Sequence, residues 1–243
     1  MAQKYSAVVI KKEKVSSKVY CVTFRLVTPP TIAFTAGQNM MLMIPASPNR
    51  FAESRRAGGS SVNRTMSIAS PPSENTIVLM AHDTSPHGPA SLWTEHLQVG
   101  DSATFVAPTG GVLSLLPTHR RKVLIATGTG IAPFRSIILD KPSDCSIVLY
   151  WGLRYEEDIF WKEEFDALQK LHSNFSWRLI YSKSSENWTG DRGHVTEYVM
   201  DNEKDMENSE FYLCGNKAMV TEVSAKLLER NVPKEQIKME LFY

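Results

Sequence analysis

The chain has 243 residues and a mass of 27.3 kDa, which is long enough for one large or two small domains. Its composition, 42% hydrophobic and 22% charged, is that of a folded globular protein and excludes a largely disordered chain. With 27 Lys and Arg against 26 Asp and Glu, the formal net charge of +1 gives no general attraction to nucleic acid or to an anionic membrane.

The sequence shows no secretory signal, no membrane span and no metal-binding motif. The N-terminal residues show no secretory signal, and the apolar run 40–44 is too short to span a bilayer. Cys21, Cys145 and Cys214 form no close pair and cannot supply the four ligands of a plant-type iron–sulfur cluster. The histidines show no metal-ligand spacing. We therefore expect a cytoplasmic protein with no membrane insertion, no nucleic-acid partner and no metal site.

Residues 1–117 have the pattern of a β domain. Six short runs rich in Val, Ile, Tyr, Phe and Thr are separated by Pro and Gly, and they cover residues 6–15, 18–28, 38–44, 65–69, 76–81 and 102–106. These runs predict a small six-stranded antiparallel barrel. One helix is predicted over 89–97, because Pro89 is tolerated at a first helical position.

The segment 46–63 is too polar to be predicted as a strand. Arg50, Arg55 and Arg56 make it locally basic. It is interpreted as a solvated, partly mobile loop, with a docking patch for an acidic partner as the alternative.

From Arg121 onward the pattern becomes that of an α/β domain. Apolar strands are predicted over 122–126, 147–150, 177–181 and 211–214, and they alternate with apolar or amphipathic stretches at 131–139, 158–171 and 218–230. Strands alternating with helices predict a parallel sheet covered on both faces. The boundary is placed at 116–121, which divides the chain into domains 1–117 and 118–243.

Three turns have features of phosphate sites. Gly128 and Gly130 follow a predicted strand and open a predicted helix, where free N–H groups favour a pyrophosphate. Gly88 and Pro89 begin the helix of the β domain, so that the N–H groups of Ala90 and Ser91 are free. Arg64 can pair bidentately with phosphate and Ser67 can donate from its hydroxyl. Taken singly, each pattern also fits an ordinary tight connection.

Together these segments resemble the ferredoxin–NADP reductase superfamily of flavoenzymes along nearly the whole chain. Arg64-Thr65-Met66-Ser67 resembles the Arg-x-Tyr-Ser motif for FAD, and Gly88-x-x-Ser91 resembles the second pyrophosphate element. Gly128-Thr-Gly-Ile-Ala-Pro133 resembles the turn of the nicotinamide domain. Cys214-Gly215 with Met219 is similar to the Cys-Gly-x-x-x-Met element, and Glu240-Leu-Phe-Tyr243 to the Glu-x-aromatic ending.

Three departures from the family pattern stand out. Met66 replaces the Tyr that packs on the isoalloxazine, and a thioether can still contact an aromatic ring there. Asn216 stands where Pro is common after Cys-Gly, and Pro89 removes one N–H from the pyrophosphate element.

The resemblance implies two cofactors, FAD and NAD(P)H, and a set of residues for each. On the FAD side these are Arg64, Thr65, Met66, Ser67, Met80, Ala81, His82, Gly88, Pro89, Ala90 and Ser91. On the nicotinamide side they are Thr127, Gly128, Thr129, Gly130, Gly152, Arg154, Ser182, Lys183, Cys214, Gly215 and Met219. Phe242 aligns with the aromatic that covers the second flavin face, and Tyr243 takes that position if the register moves by one.

Catalytic roles are implied for three side chains. Ser67 would bond near flavin N5, Cys214 would lie by the transfer path, and Glu240 would assist proton movement. The alternatives are a buried, inert Cys214 and a solvated Glu240 carboxylate.

The expected function is an FAD-containing reductase that takes a hydride from NADH or NADPH and passes electrons to a separate carrier protein such as ferredoxin, flavodoxin or an oxygenase component. Two alternatives remain: an electron-transfer subunit of a larger complex, and a flavin reductase or diaphorase with small-molecule acceptors. The coenzyme also stays open, since Ser182-Lys183 resembles a Ser-Arg pair for the 2′-phosphate, whereas Trp188-x-Gly190-x-x-Gly193 resembles members that accept NADH.

Overall fold

A computed structural model describes residues 2–45, 61–85, 87–140 and 145–242 of the chain. It contains two six-stranded sheets, an antiparallel one in the first half and a parallel one in the second. The predicted fold class is therefore confirmed.

The antiparallel sheet has the strand order β4-β3-β6-β1-β2-β5. Its strands are β1 (Gln3–Lys14), β2 (Val19–Thr28), β3 (Asn39–Pro45), β4 (Ser61–Ser67), β5 (Ile77–Asp83) and β6 (Ser102–Ala107). Val9, Phe24 and Leu42 are fully buried on its inner face. The sheet is curled, and Ala69 N, two residues after β4, donates to Leu79 O of β5 at 2.7 Å.

The start of β4 corrects one prediction. The polar loop is predicted to extend to residue 63, but residues 61–63 pair with β3, with Asn63 opposite Met43 and Ser61 opposite Pro45. Polar residues are accommodated there because β4 is an edge strand with one solvated face. The rest of the predicted loop, including Arg50, Arg55 and Arg56, lies outside the described residues.

Helix α1 (Pro89–His96) covers the antiparallel sheet as predicted. Trp93 is 3% exposed and stacks on Phe24 with ring centroids 6.4 Å apart. Burial of this aromatic pair fixes the helix, and therefore its N-terminus, against β3 and β5.

The parallel sheet has the order β10-β9-β8-β7-β11-β12. Its strands are β7 (Arg121–Thr127), β8 (Ile147–Leu153), β9 (Phe175–Tyr181), β10 (Asp191–Arg192), β11 (Ser209–Asn216) and β12 (Ile237–Phe242). The helices are α2 (Ile131–Asp140), α3 (Lys162–Leu171), α4 (Val195–Asn202) and α5 (Lys217–Glu229). β8 is buried at every position, as expected of a central strand covered on both faces.

Three elements of this half were not predicted. α4 has eight residues and no side-chain cap, and β10 has only two residues. β12 lies at the edge of the sheet, and from Lys238 to Leu241 its residues are partly or fully exposed, so it lacks the continuous apolar run of β7 and β8.

The two halves share a core. Val19, Ala36 and Leu113 of the first half are buried in the same cluster as Leu124 and Phe134 of the second. Among the described helices, the longest of which has 13 residues, none has the length and apolarity needed to cross a membrane.

Candidate functional site

The turn after β7 is built by close backbone approach. Gly130 ends a short 3-10 turn, Gly128–Gly130, that leads directly into α2. A Cβ atom on Gly130 would collide with the carbonyl of Cys214, and one on Gly215 would collide with the Thr127 hydroxyl. Both positions therefore require glycine, and the ends of β7 and β11 are held together.

Gly128 is different, because its surroundings are open. It has φ +54°, and a Cβ atom there would meet nothing within 4 Å. The indole Nε1 of Trp151 donates to the Gly128 carbonyl at 3.0 Å, which fixes the peptide. The turn thus presents free space in front of a helix N-terminus, where an anionic group is stabilised by backbone N–H groups.

Asn216 links β11 to this turn, and its structure explains one departure from the family pattern. Its backbone N donates to Thr127 Oγ1 at 3.0 Å, and its side chain accepts from Ala218 N at 2.8 Å as the N-cap of α5. A proline at this position would lose both bonds, because it has neither an N–H nor a side-chain acceptor.

Cys214 and Glu240 lie opposite each other on the paired strands β11 and β12. Cys214 is fully buried, and burial raises its pKa well above the ordinary thiol value. Glu240 is half-buried, and its Oε1 accepts from Val112 N at 3.0 Å. Burial raises the pKa of Glu240, partly opposed by that hydrogen bond. The pair is thus a neutral thiol beside a carboxyl that holds its proton more tightly than usual.

On β4, the four residues of the predicted FAD motif divide between two environments. Arg64 and Thr65 are exposed, and the Arg64 guanidinium contacts only the Asn63 carbonyl, at 2.9 Å, among the described residues. Met66 and Ser67 are buried, 9% and 8% exposed, with Met66 in the core of the antiparallel sheet. The arginine can therefore bind an anion, whereas the methionine is packed in the core.

Strand β5 brings the two predicted sites together. Met80 is fully buried in the antiparallel core, whereas Ala81 packs against the core of the parallel half. His82 Nε2 is buried with no hydrogen-bond partner among the described residues, and burial lowers the pKa of this imidazole. β5 also contacts the Gly128–Gly130 turn. The predicted flavin strand and nicotinamide turn are thus neighbours.

Among the described residues, no side chain caps the N-terminus of α1. Gly88 is the N-cap without a side-chain bond, Pro89 follows it, and the Leu92 N–H is paired with the Gly88 carbonyl at 3.0 Å. The N–H groups of Ala90 and Ser91 precede that first helical bond, and Ser91 is 3% exposed. Helix α1 as a whole contacts β5.

The ends of β8 and β9 carry the remaining predicted nicotinamide residues. Gly152 is closely covered by Val195, while Arg154, Ser182 and Lys183 are exposed. Ser182 N and Lys183 N donate to the carbonyls of Leu153 and Arg154 at 3.0 and 2.9 Å, so the two strand ends are joined.

Arg192, whose side chain had no role in the sequence prediction, also lies at this end of the sheet. Its guanidinium donates to Ser184 Oγ at 2.8 Å, to the Glu186 carbonyl at 3.0 Å and to the Trp188 carbonyl. The only sequence signal for Arg192 was its position between Gly190 and Gly193. Its donors are therefore used in shaping the loop after β9.

For three of the predicted site residues, no contact with the two predicted cofactor sites is seen among the described residues. Met219 is 7% exposed and belongs to the core beneath α4 and α5. The backbone of Phe242 ends β12, paired with Asn216, and Tyr243 lies outside the described residues.

Comparison with known proteins bears on the class of this site. Residues 124–225 match the oxidoreductase NAD-binding domain family. The cytochrome P450 reductase of Amycolatopsis is 24% identical with a TM-score of 0.85, covering 99% of this chain and 70% of that one. The ferredoxin NADP+ reductase of Neisseria gonorrhoeae, with bound FAD and NADP, is 20% identical with a TM-score of 0.81, covering 100% of both chains.

The chain therefore has the fold of the ferredoxin–NADP reductases. Residues 124–225 match the oxidoreductase NAD-binding domain family, in agreement with the predicted nicotinamide-dependent class.

Curated relatives include one component, designated F, of the Na(+)-translocating NADH-quinone reductase. The Pseudomonas aeruginosa protein is 34% identical over 185 residues, 72% of this chain and 43% of the relative. The Haemophilus influenzae protein is 30% identical over 198 residues, 74% of this chain and 48% of the relative. The chain thus spans about half the length of these relatives.

Proposed function

We propose that this protein is a flavoprotein reductase that transfers a hydride from a reduced nicotinamide coenzyme to FAD and passes the electrons to a separate carrier protein. The observation that carries the proposal is the contact between β5 and the Gly128–Gly130 turn. It brings an FAD-type strand against a nicotinamide-type turn, and hydride transfer requires the two rings to touch.

The residues on the first sheet fit an FAD diphosphate. Arg64 is exposed, and the N–H groups of Ala90 and Ser91 lie in the first turn of α1, which no described side chain caps. His82 Nε2 is a buried polar atom without a partner among the described residues, which a ligand could supply. We assign the diphosphate to Arg64, Gly88, Ala90 and Ser91, and the ribityl side to the β5 backbone at Met80, Ala81 and His82.

The residues on the second sheet fit a pyridine dinucleotide. The open face of Gly128 would admit the pyrophosphate at the N-terminus of α2, next to Thr127 and Thr129. Gly130 and Gly215 keep β7 and β11 close, and Cys214, whose carbonyl lies next to Gly130, is fully buried. Cys214 is thus assigned a packing role near the nicotinamide, because a neutral, fully buried thiol is a poor acid or base.

Bound FAD would supply the redox chemistry, accepting a hydride and releasing electrons singly. The protein contributes placement and protons. Ser67 would donate a hydrogen bond at the flavin N5 position, and Met66 would pack against the ring from below. Burial raises the pKa of Glu240, so this carboxyl would hold a proton more readily than an ordinary one and could pass it on.

For the coenzyme, we propose NADH with weaker acceptance of NADPH. Arg192 makes three loop contacts at this end of the sheet, so its fork is not free for a 2′-phosphate. Lys183 is exposed but offers only a point charge. The names of the curated relatives, which are NADH-quinone reductases, support the same choice.

A second candidate is an electron-transfer component within a larger complex, favoured by the NADH-quinone reductase relatives. Co-purification of a tagged chain with a defined second polypeptide, together with negligible reductase activity alone, would favour it over a free-standing reductase.

The test of the main proposal is the absorbance spectrum of the purified protein, before and after anaerobic addition of NADH or NADPH. We expect bands of tightly held FAD that survive gel filtration and bleach on addition of NADH. FAD that washes off would instead indicate a flavin reductase, and a protein that takes up no FAD would refute the proposal.

A further inference from the structure

Arg135 lies on α2, one turn beyond the Gly128–Gly130 turn, and its side chain is 12% exposed. Its Nε and Nη2 donate to the two carboxylate oxygens of Glu164 on α3, each at 2.7 Å. This fork-to-fork pair fixes the plane of the guanidinium more firmly than a single contact does.

The remaining nitrogen of Arg135 reaches the other half of the molecule. Its Nη1 donates to the Ala69 carbonyl at 2.8 Å, and the guanidinium carbon lies 5.0 Å from the Trp161 ring centroid. The group is therefore held by a carboxylate, an aromatic face and a backbone oxygen from the antiparallel half.

The next residue makes a parallel contact. Ser136 is fully buried, and its Oγ donates to the Ser70 carbonyl at 2.8 Å. Ser70 Oγ in turn accepts from Leu79 N of β5 at 3.1 Å, and Ala69 N donates to Leu79 O. α2 is thus hydrogen-bonded to both carbonyls of the segment Ala69–Ser70, which lies between the end of β4 and the start of β5.

These contacts connect the elements that carry the two proposed cofactor sites. α2 begins at the nicotinamide turn, while β4 ends at Ser67 and β5 carries His82. We propose that Arg135, fixed by Glu164, is a positioning residue that sets the relative placement of the two halves and so the distance between the flavin and nicotinamide rings. We call the contacts of Arg135 and Ser136 with Ala69 and Ser70 the clamp. Its catalytic consequence rests on the proposed function, whereas the clamp itself does not.

The clamp is tested without any cofactor by measuring a distance across the two halves. Nitroxide labels are attached at Val27→Cys and Leu171→Cys, which are 53% and 74% exposed, in a Cys145→Ser background. Pulsed electron paramagnetic resonance of the full chain should give a narrow distance distribution. Arg135→Met should broaden or shift it, and Arg135→Lys, which cannot form the fork, should do so to a smaller extent.

The matched control is Lys162→Gln. Lys162 forms an exposed pair with Asp166 at 2.5 Å on the same helix as Glu164, but this pair lies within α3 alone. The distance distribution of the labelled Lys162→Gln protein should equal that of the labelled wild type.

The second measurement is the rate of flavin reduction by NADH in rapid mixing. A ring displacement of about 1 Å lowers such rates by about 10- to 100-fold, so Arg135→Met should slow reduction by about tenfold or more. The NADH concentration for half-maximal reduction should stay within about twofold of the wild-type value, because Arg135 lies outside the proposed pyrophosphate turn.

An unchanged distance distribution in a folded Arg135→Met or Arg135→Lys protein would overturn the clamp. A broadened distribution with an unchanged reduction rate would overturn the positioning role. A wild-type protein that binds no FAD would refute the proposed function, and the distance measurement would still decide whether the clamp exists.

Discussion

Gly130 has no side chain, and this allows the turn after β7 to lie directly against the backbone of β11. The nearest atoms to a Cβ there are backbone atoms of Cys214 and Gly215, which cannot rotate away. Gly128, two residues earlier, has space for a Cβ but a positive φ, so alanine there meets only the conformational cost of about 1–2 kcal/mol.

We therefore expect Gly130→Ala to destabilise the fold more than Gly128→Ala does, and to abolish bleaching by NADH. Urea unfolding and NADH titration of both variants check this. Equal losses of stability in the two proteins would contradict the close approach.

Glu240 provides a pH-dependent prediction at the same scale. Burial raises its pKa in the folded state, so the unfolded chain loses the proton first, and stability falls as pH rises through and above 4.5. Glu240→Gln keeps the acceptor for Val112 N but cannot ionise. Its stability relative to the wild type should rise as pH increases above 4.5 and then level off, as measured by urea unfolding. A difference independent of pH would contradict the assignment.

At the scale of the elements, a buried ion pair links the N-terminal ends of β7 and β11. It also contacts residues 116–118, in the segment that connects the two halves. Lys122 Nζ contacts Glu210 Oε2 at 2.7 Å, and both side chains are at most 2% exposed. The ammonium also donates to the carbonyls of Leu116 and Thr118, and the Tyr212 hydroxyl donates to Glu210.

Removing one member of this network should be costly. Lys122→Met leaves a buried carboxylate without its cation, and we expect a loss of about 3–5 kcal/mol in the free energy of unfolding. The exposed pair Lys226 and Glu222 is the control, and Lys226→Met should cost less than about 1 kcal/mol. Equal costs for the two variants would contradict this.

Glu210 also makes the fold sensitive to acid. Burial by itself raises the pKa of this carboxyl, but hydrogen bonds from Lys122, Thr118 and Tyr212 outweigh it and hold the pKa below 4.5. Its stabilising contribution is present above pH 4.5 and is lost as pH falls through the lowered pKa. Between pH 5 and pH 3, Glu210→Gln should therefore lose less stability than the wild type, as measured by denaturant titration. A parallel loss in both proteins would be evidence against the network.

Elements with a strong hydrophobic pattern were predictable from the sequence. β7, β8 and α3 fall close to their predicted positions because each buries an apolar run or stripe large enough to detect locally. β12 and the first residues of β4 were not predictable, since edge strands are specified by pairing with a distant neighbour more than by their own composition.

The site divides in a similar way. Glycine-rich turns such as Gly128–Gly130 are visible in sequence because the backbone geometry demands a residue type. The role of Arg192 in loop shaping, the cap made by Asn216 and the contact of Arg135 with Ala69 depend on three-dimensional neighbours, and no local spacing indicates them.

The whole molecule is held as one unit by the shared core. Leu113, fully buried, belongs to the first half by sequence but packs with the core of the parallel sheet. We expect Leu113→Ala to lower the free energy of unfolding by about 2–5 kcal/mol and to move a single calorimetric transition to lower temperature. Leu115→Ala, at a partly buried position against the same core, should have a smaller effect. Two separate transitions, with only one displaced, would contradict a common folding unit.

The indole of Trp151 gives the molecule a built-in optical probe. Its side chain is fully buried, and its hydrogen bond ends on the carbonyl of Gly128, at the open face of the turn. Any dinucleotide that settles on that peptide changes the electric field at the ring, so emission from Trp151 should shift in wavelength or intensity as the pocket fills, even in protein stripped of its flavin. Association could then be followed in a fluorimeter separately from turnover, with Trp151→Phe as the silent counterpart.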